Sequence, residues 1–263
     1  YLFNITTDIK LLELSNLNNP VLRRLAVEAP GTYHHSIIVG SLAEAAAEAI
    51  GANPLLVRVG AYYHDIGKLK NPEYYVENQL YMSNKHEKLS PSMSSLILAS
   101  HVKDGLALAD EIKLARTVRD LIPEHHGTRL MKFFYQKAKD VAAGKEREVN
   151  EDDFRYPGPK PQSKAAAILM LADQVEAAAR TLQDPSPSQI RSMNRRLIQS
   201  TIQDRQFDEC EITMQDLDKI LRAFERVITG MHHHRIEYPG FDFNRGVEEA
   251  QFEQTKTESQ RIQ

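Results

Sequence analysis

The chain of 263 residues is short of several things that would point it elsewhere. Cys210 is its one cysteine, which excludes an internal disulfide and a cysteine-built structural zinc site and fits a reducing compartment. There is no basic excess. The 33 Lys and Arg stand against 36 Asp and Glu for a formal charge of -3, too acidic a balance to grip long nucleic acid through many phosphates, although a small phosphorylated ligand stays open. No apolar run approaches the roughly 20 residues that span a bilayer. Alternating apolar runs are nearly absent, so strands are not expected, and there is neither an internal repeat nor a low-complexity tract. Gly60 and Gly67-Lys68 superficially suggest a nucleotide-binding loop. Their spacing is wrong, Leu69 stands where Ser or Thr is needed, and the glycine follows a helical pattern rather than a strand. Tyr1 is not a natural start, so the chain is expected to be a piece of something longer.

What is there is 41% hydrophobic and 26% charged, the composition of a soluble globule with a good core. Its apolar positions recur at three and four, which predicts an all-α fold. Helices are expected over Thr7 to Leu14, from Asn19-Pro20 through Ala26, and from about Tyr33 to Ile50 with Gly51 as the stop. The next is expected over 54–66, between Asn53-Pro54 as the start and Gly67 as the stop. Further helices run from Ser90-Pro91 through His101, weakening at Gly105; over 109–122; from Thr128 to Ala143; from Ser163 through Leu182; and over 187–203 and 214–233. Residues 71–88 and 144–162 read as connections, the second stiffened by Pro157, Pro159 and Pro161. Residues 1–19 read as a lead-in helix and linker, 20–240 as one helical domain, and 241–263 as a polar, disordered tail.

Polar residues stand at odd places in this pattern. His64-Asp65 closes an apolar helix, where a carboxylate is costly to desolvate unless a cation sits against it, and no Arg or Lys is expected among its inward-facing neighbours. His35 continues the apolar face of the preceding helix, with His34 turned away. His101 lies on the apolar side of the following one, His125-His126 ends another buried stretch, and Asp173 interrupts a helix that is apolar on nearly every side. Singly, each reads as a hydrogen-bonded core histidine or a capping aspartate. Together they are imidazoles and carboxylates, the donors that hard and borderline divalent ions take, which points to a metal site. His86 and His232 to His234 are read as surface histidines.

The order of these residues, a His, then His-Asp, then further histidines, then a late Asp on an Ala-rich helix, resembles the HD superfamily of metal-dependent phosphohydrolases. His-Asp-x-Gly-Lys at 64–68 with the extra histidines resembles its two-metal branch. Five stretches resemble most the cytoplasmic HD domains of seven-transmembrane-HD receptors that hydrolyse cyclic di-AMP. These are Tyr33-His34-His35-Ser36, Tyr63-His64-Asp65-Ile66-Gly67-Lys68, Ser100-His101-Val102-Lys103-Asp104-Gly105, His125-His126-Gly127-Thr128 and Arg155-Tyr156-Pro157-Gly158-Pro159-Lys160-Pro161, and the resemblance covers residues 20–185.

That resemblance implies an HD-domain helical bundle with two divalent metal ions, Fe or Mn, in its core. His35, His64, Asp65 and Asp173 hold one ion and His101 and His125 the other, with Asp65 bridging. It implies hydrolysis of cyclic di-AMP to linear pApA by a hydroxide between the ions, in a cytoplasmic domain tethered to an upstream transmembrane region. Asp65, Lys68 and His126 are the catalytic candidates. Lys68 could reach a substrate phosphate; His126 could donate to one or replace His125 as ligand. Lys103, Arg129 and the 155–161 loop could close over a nucleotide, and Tyr63 could support an adenine; each of these reads equally well as a packing or solvated residue. Gly127-Thr128-Arg129 stands where HD-GYP enzymes carry an acidic residue and then Gly-Tyr-Pro, which puts cyclic di-GMP second. A di-iron oxygenase on the same ligands, and a sensory domain that binds a cyclic dinucleotide without cutting it, are the rival readings.

Overall fold

Helix starts follow local chemistry almost everywhere. The computed structural model describes residues 6–79, 84–143 and 148–232, and residues up to Thr229 form one compact unit. Among the described residues there are helices and no strand, as the periodicity predicts. Helix α1 (Asp8–Leu14) is capped by the Thr7 hydroxyl, α2 (Pro20–Glu28) by the Asn19 side chain and α4 (Pro54–Tyr63) by Asn53. α3 (Pro30–Ile50) starts one turn earlier than expected, on Pro30, and stops at Gly51, whose φ of 71° is the left-handed closure that glycine adopts without strain. α5 (Pro91–Glu111) opens under Ser90. α6 (Arg116–Arg119) and α7 (Leu121–Glu124) are single turns; α8 (Lys132–Ala142), α9 (Lys164–Ala179) and α10 (Pro187–Gln203) follow. α11 (Met214–His232) closes the described chain, its start fixed by reciprocal bonds between Thr213 and Asp216.

Four expectations are corrected, three of them by long-range contact. α4 ends at Tyr63, not 66, and Gly67 is not a helix stop. It lies in a short 3-10 turn, Ile66–Lys70, pressed so closely on α5 that a Cβ would overlap the His101 carbonyl and the Gly105 backbone. For the same reason α5 does not weaken at Gly105, a buried contact point inside an unbroken helix. The expected helix over 109–122 is broken after Glu111, where Lys113 takes a φ of 53°, and only α6 and α7 resume it. The helix expected from Thr128 begins at Lys132, because Leu130 pairs with Arg155 in an isolated antiparallel bridge. His233, His234 and the tail 241–263 lie outside the described residues, as does the side chain of His232.

The core has two main parts that share α4. On one side α3, α4 and α9 pack against α10 and α11, with Val39, Leu42, Val57, Leu169, Ile190 and Phe224 at its heart. On the other, Leu11 and Leu14 of the lead-in helix pack with Leu22, Leu25, Val59, Tyr63, Ile66 and Ile122, so α1 belongs to the same packing as the residues after 19. The 71–79 segment makes two 3-10 turns clamped to the start of α3: the Glu77 carboxylate accepts from the Thr32 hydroxyl, and the Asn78 side-chain Oδ1 accepts from the Thr32 N–H. His86, read as a surface histidine, is buried beside Phe134 with its Nε2 2.8 Å from the Tyr74 carbonyl.

Candidate metal centre

The second turn of α3, the end of α4, the middle of α5, the end of α7 and the middle of α9 face one another, and each contributes polar side chains to one small volume. Three histidines are oriented by the same local device. His64 Nδ1 lies 2.6 Å from the Ala61 carbonyl, His101 Nδ1 2.6 Å from that of Leu98 and His125 Nδ1 2.6 Å from that of Ile122. A carbonyl only accepts, so each Nδ1 carries the proton and each Nε2 presents a lone pair. His35 is oriented through a carboxylate instead: its Nδ1 is 2.5 Å from Glu176 Oε2, which also accepts from Arg180 at 2.8 Å.

The inward atoms have no hydrogen-bond partner. Of thirteen such buried side-chain atoms among the described residues, six converge here: Nε2 of His35, His64, His101 and His125, Nδ1 of His126, and Oδ1 of Asp65. Buried polar groups are satisfied in the large majority of cases. Five imidazole nitrogens and a carboxylate oxygen left open together are a donor set that a cation completes.

Their spacing agrees. His35, His64 and Asp173 form one group with donor atoms within 4.8 Å of one another, and His101, His125 and His126 form a second. Donors at right angles on an ion ~2.1 Å away are ~3.0 Å apart, and opposite ones ~4.2 Å. Asp65 stands between the groups. Its Oδ2 is 3.2 Å from His64 Nε2 and 3.7 Å from His35 Nε2; its Oδ1 is 3.4 Å from His101 Nε2 and 3.8 Å from His125 Nε2. Asp173 spans the same gap, with Oδ1 3.1 Å from His35 Nε2 and Oδ2 3.8 Å from His126 Nδ1. His125 and His126, alternatives in the sequence, both present a nitrogen.

The electrostatics sort these groups by charge. Burial opposes ionisation of Asp65, yet His64 and Lys68 hold it well below the usual carboxylate range. Asp173 is likewise held low against burial by His35 and His126. Burial lowers His101, His126 and His125, the last to about 3, which keeps them as neutral, ligand-competent imidazoles. His35 is the exception: burial works against its charge, but Asp173 and Glu176 prevail and push it up to about 9. A cation at its Nε2 therefore displaces a proton.

Some expectations fail. The turn after Asp65 folds Lys68 back so that its Nζ is 2.7 Å from Asp65 Oδ2 and 2.7 Å from Glu77 Oε1, so Asp65 does have a protein cation against it, on one oxygen. Tyr63 cannot support a base, being fully buried with its hydroxyl donating to the Leu14 carbonyl at 3.0 Å. Lys103 is exposed and lies about 200° round α5 from His101, facing away. Arg129 is brought near Asp173. Its guanidinium, lowered by burial, feels Asp173, Tyr156 and Asp204 but has no hydrogen bond or ion pair among the described residues. Two neighbours were missed, Glu176 and Glu77, while Tyr156 falls in the 155–161 loop already read as able to close over a nucleotide. Glu176 was findable, since it follows Asp173 by three on the same face of an Ala-rich helix.

The HD domain family profile matches residues 32–178. Cyclic-di-AMP phosphodiesterase PgpH of Bacillus subtilis (strain 168) is 50% identical over 237 residues, which are 90% of this chain and 33% of that protein. Its namesake in Listeria monocytogenes serotype 1/2a is 45% identical over 238 residues, again 90% and 33%. The chain thus spans about a third of the length of these curated relatives. The crystal structure of the L. monocytogenes PgpH HD domain superposes with a TM-score of 0.77 at 45% identity, covering 82% of this chain and 100% of that one. The same domain in complex with cyclic-di-AMP superposes with a TM-score of 0.78 over 82% and 99%.

Proposed function

The chain belongs to the HD-domain family, and from that premise we propose that it is a metal-dependent phosphodiesterase hydrolysing cyclic di-AMP to linear 5′-pApA, on the cytoplasmic side of an upstream membrane anchor. The observation that carries the reading is the convergence of five unpartnered imidazole nitrogens on a carboxylate with one oxygen open, in a chain 45% identical to an HD domain solved with cyclic-di-AMP.

His35, His64, Asp65 and Asp173 would hold one divalent ion, and Asp65, His101, His125 and His126 a second. The all-N/O donor set suits Fe or Mn. Such ions supply Lewis acidity toward phosphate oxygens and lower the pKa of water so that it is nucleophilic at neutral pH. The protein's own groups do the rest. The three carbonyl-anchored histidines cannot turn away, because each Nδ1–H is committed to the turn beneath it. Asp65 offers one oxygen to each half of the centre. Lys68 and Arg129 supply fixed positive charge for the substrate phosphates, Lys68 steered by Glu77 and Arg129 unpaired. Overall, water adds across one P–O3′ bond, leaving a 3′ hydroxyl and a 5′ phosphate.

The test is metal analysis of protein prepared without oxygen, followed by chromatography of products from cyclic di-AMP, cyclic di-GMP and pApA. About two ions per chain and conversion of cyclic di-AMP to pApA are expected. A metal-loaded domain that binds the nucleotide and leaves it intact would return the reading to a sensor; oxygen consumption without ester cleavage would return it to an oxygenase.

A further inference from the structure

Tyr156 lies in the stretch between α8 and α9, and the chain around it is fastened on every side. Phe154 just before it is buried, and its carbonyl accepts from the Met131 N–H at 2.8 Å. Arg155 is held by Glu151, Asp204 and the Thr128 carbonyl at 2.7–3.1 Å, and Tyr156 N–H donates to the Arg129 carbonyl at 3.0 Å. This framework delivers the phenol ring onto His126, with centroids 4.1 Å apart and planes inclined by 25°, and edge-on to His101 at 6.3 Å. The ring walls the His101–His125–His126 half of the centre.

The hydroxyl is the unexplained part. The side chain is only partly buried, and the hydroxyl makes no hydrogen bond to any described residue, so it is free to meet a group that arrives from solvent. It lies where Lys68 and Arg129 act on it from the cationic side and Asp173 and Asp65 from the anionic side, and burial holds its proton on well above the ordinary phenol range. It is a donor that no described residue uses, carried on a ring that stacks on His126 and meets His101 edge-on.

We propose that Tyr156 is a substrate-binding residue whose ring fixes His126 by stacking and whose hydroxyl donates to a non-bridging oxygen of the scissile phosphate. Its second role rests on the phosphodiesterase reading above; the first does not. Because the framework is built from Phe154, Arg155 and Arg129, the donor is pre-placed rather than recruited when substrate arrives, and its bond costs no reorganisation.

Two substitutions separate the roles. Tyr156→Phe keeps the ring and should retain the wild-type metal content while losing ~10- to 100-fold in kcat/KM for cyclic di-AMP, the range of one bond to a charged acceptor. It should also collapse the rate difference between the two phosphorothioate diastereomers of the substrate, since one non-bridging oxygen no longer has a dedicated donor. Tyr156→Ala should in addition weaken metal binding at the His101 half. The product pApA carries the cleaved phosphate, so its affinity by calorimetry should fall ~10-fold in Tyr156→Phe, and this needs no turnover. Wild-type protein that binds pApA but cuts nothing would overturn the phosphodiesterase reading alone. A Tyr156→Phe variant with wild-type pApA affinity and unchanged diastereomer preference would overturn the hydroxyl's role whatever the activity. Unaltered metal binding in Tyr156→Ala would overturn the stacking role.

Discussion

Glu176→Gln removes one charge and leaves the shape of the centre untouched. In the native protein Glu176 Oε2 sits 2.5 Å from His35 Nδ1, with both side chains buried. The glutamine carbonyl can still accept that proton, so His35 keeps its orientation and tautomer but loses the anion that strengthens its Nε2 as a donor. Outer partners of this kind are worth ~10- to 100-fold in metal affinity, or about 1.4–2.8 kcal/mol at 1.4 kcal/mol per tenfold. The loss should fall on one half only. A calorimetric titration of Mn2+ into metal-free Glu176→Gln should show the step assigned to His35, His64, Asp65 and Asp173 weakened by that factor, and the step assigned to His101, His125 and His126 within about threefold of wild type. A second readout is independent of metal. His35 is pushed up to about 9 by Asp173 and Glu176 against burial, so its NMR titration midpoint must fall in the variant, and Glu176→Asp should restore part of both effects. Unchanged isotherms together with an unchanged midpoint would refute the claim that Glu176 tunes the ligand.

Three further outcomes follow from the same geometry. Asp65→Ala should abolish hydrolysis and reduce metal at both positions, because each of its oxygens faces a different histidine group; mass spectrometry or elemental analysis finding one position still full would contradict bridging. Gly67→Ala drives a methyl group into the His101 carbonyl and Gly105 backbone, which should cost about 3 kcal/mol and lower metal content by parting Asp65 from His101; a wild-type melting curve would show the contact to be soft. The metal-free domain should be acid-labile. The folded pKa values of His101, His125 and His126 are lowered, His125 to about 3, so the stability they protect is full above the unfolded histidine pKa near 6.5 and drains as pH falls below it. The slope is about 1.4 kcal/mol per pH unit for each histidine that must stay neutral. His35 has the opposite sign, its contribution being present below about 6.5 and lost as pH rises through about 9. Urea midpoints that stay flat from pH 7 to pH 5 would show the cluster opening to accept protons.

How much of this could be read from the sequence depends on how local each cause is. Asn19, Asn53, Ser90, Ser163 and Ser186 were legible as helix starts because a cap bonds within three residues. The ligand-type residues were legible as misfits, charged or basic groups on apolar faces. What stayed hidden is set by partners far along the chain. Gly67 and Gly105 both look like helix breakers, yet their lack of side chains serves the approach of one backbone to another 38 residues away (67 to 105). Lys68 looks like an exposed lysine after a stop, and only the 3-10 turn that Gly67 permits folds it back over Asp65. The inward place of Tyr63 likewise follows from α1, whose Leu14 carbonyl claims its hydroxyl.

The charges around the centre bear on the proposed substrate, which carries two phosphates. Asp65, Asp173, Glu176 and Glu77 give four negative charges; Lys68, Arg129 and Arg180 give three positive ones, and His35, titrating at about 9, supplies the fourth at neutral pH. Without metal the cluster is therefore formally neutral, which is how two carboxylates with almost no access to water stay ionised inside a folded core. Two divalent ions held here would add four positive charges in exchange for the His35 proton, an excess of three, and one would be offset by the proton lost from a water. The remaining two match the two phosphates of a cyclic dinucleotide, whereas a neutral substrate would leave them uncompensated in a low-dielectric pocket. Neutrality when empty and a surplus of two when loaded both depend on His35 changing charge, and hence on the Glu176 carboxylate that sets its affinity for a proton.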